Sequence, residues 1–265
     1  MEKISIRKIQ SSSVNNSIVL FDGETHLFLD FGAEIDKINL YLQKYNCNSK
    51  NIASILISHY HTDHIKALGQ NPIFLNTQVI TSKITANYLF NKYKKINNIN
   101  SNFLIVNENE KKWIKIKNTN WYLKTFETIH DAKGSIAFLI KNKKLKKKII
   151  YMTDTEYLEH KYLKNCDIYI LESNYGASYL TTKSEKNKHI YKKINHMNIH
   201  ESTKLLEKYI SKRTKLFIFS HISRNGKEDK ELIDDVITIY RIKYPNIEID
   251  YLNPFKNLDY EKNID

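Results

Sequence analysis

The Ile-rich run Ile52–Ser58 passes directly into His59-Tyr60-His61-Thr62-Asp63-His64, and this junction constrains the chain more than any other stretch. A short apolar run of this kind suits a buried strand. Four metal-competent side chains then fall within six residues just past its end. Imidazole nitrogens with a hard carboxylate oxygen suit zinc or a similar divalent ion. In a loop leaving a strand, His59 and His61 alternate onto one side, and Asp63 and His64, at the turn into a helix, can serve a second ion nearby. The chain has 10 His among 265 residues, so three within six positions beside an Asp are not a chance cluster of solvated rings. For a lone His elsewhere, a structural role is the default.

A chain of this length makes one large domain or two small ones, at roughly 100–200 residues per domain. With 41% hydrophobic residues it can bury a sizeable core, which excludes global disorder. No apolar run approaches the ~18 residues of a membrane span, and the first residues carry no apolar signal segment, so neither a membrane partner nor secretion is expected. Cys47 and Cys166 are the two cysteines and lack CxxC spacing; a reducing cytoplasm is the expected location. The net charge is +13, which favours phosphate-rich partners. Of 42 basic residues only Arg7, Arg213, Arg224 and Arg241 are Arg, and the joint abundance of Lys, Asn, Ile and Tyr also fits A/T-rich coding bias. The Lys-rich stretch from Lys141 to Lys148 reads as a solvated hairpin turn.

Only 6 Gly and 3 Pro leave few linkers, and a single domain over 1–265 is expected, with a frayed tail from about 257. Strands are predicted over 4–9, 17–21, 26–31, 52–58, 78–81, 103–106, 113–116, 121–128, 135–141, 148–152, 167–172, 216–219 and 247–251. Helices are predicted over 34–45, with Ile35, Ile38, Leu40 and Leu42 as its apolar positions, over 82–94 capped by Ser82, over 198–211 and over 229–244. Strands dominate both halves with helices interspersed, which suits a mixed α/β (α+β) chain with two packed sheets and helices outside, a four-layer αββα sandwich.

The motif and its neighbours resemble the metallo-β-lactamase-fold hydrolases, whose pattern is HxHxDH, then a distant His, an Asp and a final His, each after a strand. Here His130 stands in Thr128-Ile129-His130-Asp131-Ala132, Asp154 in Tyr151-Met152-Thr153-Asp154-Thr155 and His221 in Phe219-Ser220-His221-Ile222-Ser223. The resemblance covers about residues 3–252. It implies two divalent ions, zinc with manganese as the alternative, with His59, His61 and His130 on one, Asp63, His64 and His221 on the other, and Asp154 bridging. It implies that Asp63 orients the attacking water or accepts its proton, and that Asp30, in Leu29-Asp30-Phe31-Gly32, steadies the ligands from behind.

Within the family, Asp154 and His64 disfavour the common β-lactamases, which place Cys near the first position and lack the second. The 67 residues from Asp154 to His221 hold Asn195-His196-Met197-Asn198, similar to ribonuclease Z-like phosphodiesterases. That likeness implies His196 as the general acid toward the leaving oxygen. Only 24 residues separate His130 from Asp154, too few for the tRNA-grasping arm, so tRNA processing is not expected. His61-Thr62-Asp63-His64-Ile65-Lys66, His130-Asp131-Ala132, Leu171-Glu172-Ser173-Asn174 and His196-Met197-Asn198 resemble most the exonuclease-like YycJ/WalJ group. Asn195 and Arg224-Asn225-Gly226 depart from that group's pattern on the substrate side, where Ser223, Arg224 and Asn225 are candidates for phosphate contact. The resemblance implies a phosphodiesterase acting on nucleic acid, DNA-exonuclease-like. The alternatives are a cyclic-nucleotide phosphodiesterase of the phage anti-defence (anti-Pycsar) type and a catalytically inactive nucleic-acid-binding module. A homodimer is common in related enzymes, though nothing in the sequence displays its interface.

Overall fold

The computed structural model describes residues 3–70, 76–93, 102–176, 196–223, 227–256 and 260–265, the side chains of 227–230 excepted. The strands are β1 (Ile4–Ser12), β2 (Asn15–Phe21), β3 (His26–Leu29), β4 (Ile52–Leu56), β5 (Val79–Ser82), β6 (Phe103–Val106), β7 (Ile114–Lys115), β8 (Trp121–Glu127), β9 (Ile136–Asn142), β10 (Lys147–Met152), β11 (Ile168–Glu172), β12 (Leu216–Ser220), β13 (Glu248–Tyr251) and β14 (Glu261–Ile264). The helices are α1 (Ile35–Lys44), α2 (Thr62–Ile65), α3 (Lys83–Lys92), α4 (Ile199–Tyr209) and α5 (Lys227–Lys243). Among the described residues the strands form two seven-stranded sheets, ordered β14-β1-β2-β3-β4-β5-β6 and β13-β12-β11-β10-β9-β8-β7. In each sheet an antiparallel half meets a parallel half, at β3 in the first and at β10 in the second.

Period-two alternation along the inner strands explains the layering. On β10, Ile149 and Tyr151 face the core between the sheets, while Ile150 and Met152 face the layer carrying α4 and α5. Strands β11 and β12 repeat this, with Ile170 and Ile218 inward and Leu171 and Phe219 outward. Against the first sheet, Phe28, Ile55 and Ile57 pack on Ile38 and Tyr41 of α1 and Leu89 of α3. These three apolar contacts join four layers, the αββα arrangement expected from the sequence. Strands lined on both faces by apolar side chains appear in sequence as unbroken hydrophobic runs, which is why β4, β11 and β12 were legible there.

Local chemistry sets the element ends. The Ser82 hydroxyl accepts the Thr85 amide at the start of α3, as predicted. Asn198 and Glu201 form a reciprocal capping box on α4. The Lys-rich hairpin joins β9 to β10, where the Asn142 side chain accepts the Leu145 amide and Lys146 takes φ +54°. Two expectations fail. On α1 the buried residues are Ile38 and Tyr41, and Leu40 is 47% exposed, because a 3.6-residue period turns position 40 outward when 38 and 41 face inward. The tail is not frayed over its whole length. Residues Glu261–Ile264 pair antiparallel with β1, Arg7 bonds Glu261 at 2.9 Å, and the buried Lys8 ammonium donates to the carbonyls of Asn253 and Lys256. The pairing partner is the open edge of β1, a long-range cause that the polar Glu261-Lys262-Asn263 sequence does not announce. No helix among the described residues is long and apolar enough to cross a membrane.

Candidate metal centre

The carboxyl ends of strands from both sheets converge at one edge of the sandwich. Asp30 follows β3, the His59–His64 segment follows β4, His130 follows β8, Asp154 follows β10, Glu172 ends β11 and His221 follows β12. Asp30, Asp154 and His221 adopt φ of +56°, +46° and +55°. Such left-handed positions cost about 1–3 kcal/mol each and persist where surrounding contacts hold them. Here they turn the chain sharply at a strand end, so that the side chain stays in the cleft. Gly32 is tied to the same geometry. Its backbone lies against Asp63 so closely that a Cβ would sit 1.6 Å from the Asp63 carbonyl oxygen. This contact lets the Phe31 amide bond the His64 carbonyl at 2.8 Å and fixes α2 beside β2 and β3.

Three groups of donor atoms form among the described residues, one of them made by Asp154, Glu172, His196 and His221. His59, His61, His130 and Asp154 bring one ligand-capable atom each within 4.8 Å of one another, and so do Asp63, His64, Asp154 and His221. Asp154 belongs to all three. Its Oδ2 lies 3.6 Å from His59 Nε2, 3.8 Å from His130 Nε2 and 3.4 Å from His64 Nε2, and its Oδ1 lies 3.2 Å from His221 Nε2. Asp63 Oδ2 stands 3.0 Å from His64 Nε2 and 3.4 Å from His221 Nε2. The sequence-predicted set is thus gathered in one cleft. The buried His59 Nε2 has no hydrogen-bond partner, a rare state for a fully buried nitrogen and one that an ion would relieve. The donor chemistry and this orphaned nitrogen fit divalent cations.

The carboxylates shape the electrostatics. Burial opposes charge on His221, but Asp154, Asp63 and Glu172 overcome it and push the imidazole up to about 10. Burial opposes charge on His64 too, and Asp63, Asp154 and Asp30 raise it well above the usual range. Burial penalises the ionised forms of Asp63 and Asp154, yet the adjacent His64 and His221 hold both well below ordinary carboxylates. His59 goes the other way: burial drives it well below the usual imidazole value, helped by His64.

A second ring of partners orients the donors. Asp30, fully buried, takes His64 Nδ1 at 2.7 Å, the Ser58 amide at 2.8 Å and the Tyr151 hydroxyl at 2.6 Å. The sequence reading named Asp30 for this position but missed Ser58 and Tyr151. It also missed Glu172. That carboxylate, 0% exposed, takes His221 Nδ1 at 2.9 Å and His196 Nδ1 through one oxygen, and the Thr155 amide at 2.8 Å through the other. The signal was present, since Glu172 is an acid at the end of an apolar strand run, as Asp30 and Asp154 are. Asn16 and Asn174 were also unassigned; they reach Asp63 Oδ2 at 3.1 Å and His221 Nδ1 at 3.0 Å.

His196 lies at the cleft, its ring 5.3 Å from His221 and 5.4 Å from His130. Burial disfavours its charged form, and the Glu172 carboxylate more than compensates, raising its affinity for a proton. Ser223 follows β12 and its amide bonds the Asn174 carbonyl at 2.7 Å. Arg224 and Asn225 fall outside the described residues.

Comparison with known proteins accords with this geometry. Residues 38–222 match the family model described as a beta-lactamase superfamily domain. The chain is 24% identical to the exodeoxyribonuclease WalJ of Streptococcus pneumoniae over 229 residues, covering 82% of this chain and 81% of that one. The metallo-beta-lactamase fold protein YhfI from Bacillus subtilis superposes with a TM-score of 0.69 at 14% identity, over 98% of this chain and 99% of the other. The short form of human tRNase Z gives 0.65 at 14% identity, over 98% and 99%.

Proposed function

The chain belongs to the beta-lactamase superfamily, and on that premise we propose that it is a metal-dependent phosphodiesterase acting on nucleic acid, an exonuclease that attacks DNA ends. One observation carries the reading: imidazole and carboxylate groups from the ends of four strands, β4, β8, β10 and β12, meet around a shared Asp154. The likeness to an exodeoxyribonuclease over most of both chains supports the substrate class. The excess of positive charge, +13, favours a polyanion by long-range attraction.

In this reading His59, His61 and His130 would hold one ion and Asp63, His64 and His221 another, with Asp154 within reach of both sets of donors. Divalent ions held there would supply Lewis acidity toward a water and positive charge opposite a phosphodiester. The protein does the rest. Asp63 orients the nucleophilic water or accepts its proton. His196 is the general acid: its Nδ1 is engaged by Glu172, which leaves Nε2 for the departing oxygen. Glu172 holds that ring in place while also fixing His221, so the acid and one metal ligand share an anchor. Zinc suits the imidazole-rich donor set, and manganese is the alternative. The whole chain acts as one catalytic unit, and a homodimeric state belongs to the same reading. Cys47 and Cys166 are free and buried, and burial pushes both thiols up to about 12, which suits a reducing cytoplasm and no redox role.

The test is a substrate panel of single- and double-stranded DNA, RNA and cyclic mononucleotides, each with Zn²⁺ and with Mn²⁺. Progressive loss of nucleotides from DNA ends is expected, abolished by His61→Ala. Intact DNA and RNA under every ion would sink the nuclease reading; turnover of cyclic mononucleotides alone would replace it with the small-substrate alternative. DNA binding without catalysis in the parent protein would leave only the binding module.

A further inference from the structure

We propose that Tyr60 and Tyr88 form a stacking platform beside the metal centre for bases of a single-stranded nucleic-acid end whose reacting phosphate lies at that centre. The proposal rests on the phosphodiesterase reading above and names the form in which its substrate is held.

Helix α3 presents an unusual stripe to solvent. A surface helix turns polar residues outward. Here Ile84 and Tyr88, one turn apart, are 42% and 40% exposed. One turn further, Lys92 places its ammonium 5.8 Å from the centre of the Tyr88 ring. The helix spans Lys83–Lys92 and contains no Asp or Glu, so the stripe is apolar, aromatic and positively charged.

The stripe is tied to the metal centre from two directions. Tyr60, inside the histidine motif, stacks on Tyr88 with ring centres 4.8 Å apart and planes 25° from parallel. The same Tyr60 ring stands edge-on to His61 at 5.6 Å, and His61 in turn contacts His130 at 4.9 Å. From the other side, the loop after His130 is pressed onto the base of α3. A Cβ on Gly134 would lie 2.9 Å from Ile84 Cβ, and Gly134 takes φ +76°. A continuous path therefore runs from His130 through His61, Tyr60 and Tyr88 to Lys92.

This chemistry selects one occupant. Flat aromatic faces offered to solvent bind bases by stacking without regard to sequence, and neighbouring ammonium groups hold the phosphates between them. In a duplex, each base face is already covered by its neighbours; in a single strand it is available. A strand lying along this path puts its phosphodiester at the donor atoms and its adjoining bases on the tyrosines.

The experiment measures affinity of the full-length, Zn²⁺-loaded protein for a short, internally labelled, phosphorothioate-linked single strand, with a blunt duplex of the same sequence beside it. Tyr88→Ala is expected to weaken single-strand binding roughly 5- to 100-fold, the scale of one lost base stack, with little change for the duplex. Tyr88→Phe, which keeps the ring, is expected to bind as the parent does. In the parent, 2-aminopurine near the reacting end reports stacking directly, without a variant, and its fluorescence is expected to be quenched on binding. Parent-like affinity in Tyr88→Ala, equal losses in Tyr88→Phe and Tyr88→Ala, or unquenched 2-aminopurine would each overturn the platform. Cleavage of an unmodified strand by the parent is scored separately. If it is absent while Tyr88-dependent binding remains, the phosphodiesterase reading falls and the platform stands.

Discussion

His64 and His221 each hand one ring nitrogen to a buried carboxylate, whereas His59 and His61 do not. On the first flank, Asp30 takes His64 at 2.7 Å and Glu172 takes His221 at 2.9 Å, and both acids are themselves held by backbone amides. On the second, His59 Nδ1 faces the Ser58 hydroxyl at 3.0 Å and His61 Nδ1 faces His130 Nε2 at 3.2 Å, with the His61 side chain 36% exposed. One flank is oriented before any ion arrives. The other is backed by the Ser58 hydroxyl and the exposed Asp131, 3.6 Å from His61 and 3.2 Å from His130, and opens toward solvent at His61 beside Tyr60. In the proposed reading the carboxylate-backed flank fixes the centre, and the open flank, continuous with α3, meets the substrate.

Removing the backing of the rigid flank should cost most. Asp30→Ala strands the Ser58 amide, the Tyr151 hydroxyl and His64 in a fully buried place, and is expected to lose about 3–5 kcal/mol of stability in denaturant titrations. A loss below about 1 kcal/mol would erase the contrast between flanks. Glu172→Gln keeps the shape but weakens the hold on His221 and His196. Competition against a chelator should show ion affinity reduced about 10- to 100-fold, with the fold intact by circular dichroism.

A third measurement isolates acid instability that belongs to neither flank. His26 is buried on Phe21 with its Nδ1 3.0 Å from the Tyr41 hydroxyl, and burial, aided by Arg7, lowers it to about 4. Between that value and the ordinary 6.5 the unfolded chain binds the proton and the folded one does not. Stability from this residue is therefore complete above pH 6.5 and falls as pH drops toward 4. His26→Gln should flatten that limb by about 2 kcal/mol in metal-free protein; an unchanged acid limb would contradict the assignment. The smallest effect is expected on the open flank. Asp131 lies 3.2 Å from His130 Nε2, but its side chain is 63% exposed, so Asp131→Ala should change stability by less than about 1 kcal/mol. A loss matching that of Asp30→Ala would mean the open flank is as firmly backed as the other.

Legibility in the sequence follows the range of the forces involved. The apolar runs of β4, β10, β11 and β12 and the cap at Ser82 are local, and they appeared directly. The donors of the 59–64 motif were legible because they are adjacent in the chain. His130, Asp154 and His221 were legible only as an ordered set after strand ends, since each alone looks like a structural residue. Glu172, Ser58 and Tyr151 were not assigned, because their roles arise from which strands lie side by side. The parallel pairing of Leu171 with Phe219 is what brings Glu172 beside His221; its place at a strand end was legible, its partner was not. The strand at Glu261–Ile264 escaped for the same reason, its partner β1 lying at the other end of the chain. The outward turn of Leu40 shows the opposite limit: apolar residues are read as core by type, but helix phase decides.

In the proposed reading one cleft holds a pair of ions joined by Asp154. Anomalous diffraction from crystals of the metal-loaded protein tests it directly. The expected result is two peaks about 3.5–4 Å apart, one against His59, His61 and His130, one against Asp63, His64 and His221, with Asp154 touching both. A lone peak, or two peaks with Asp154 turned away from either, would contradict it.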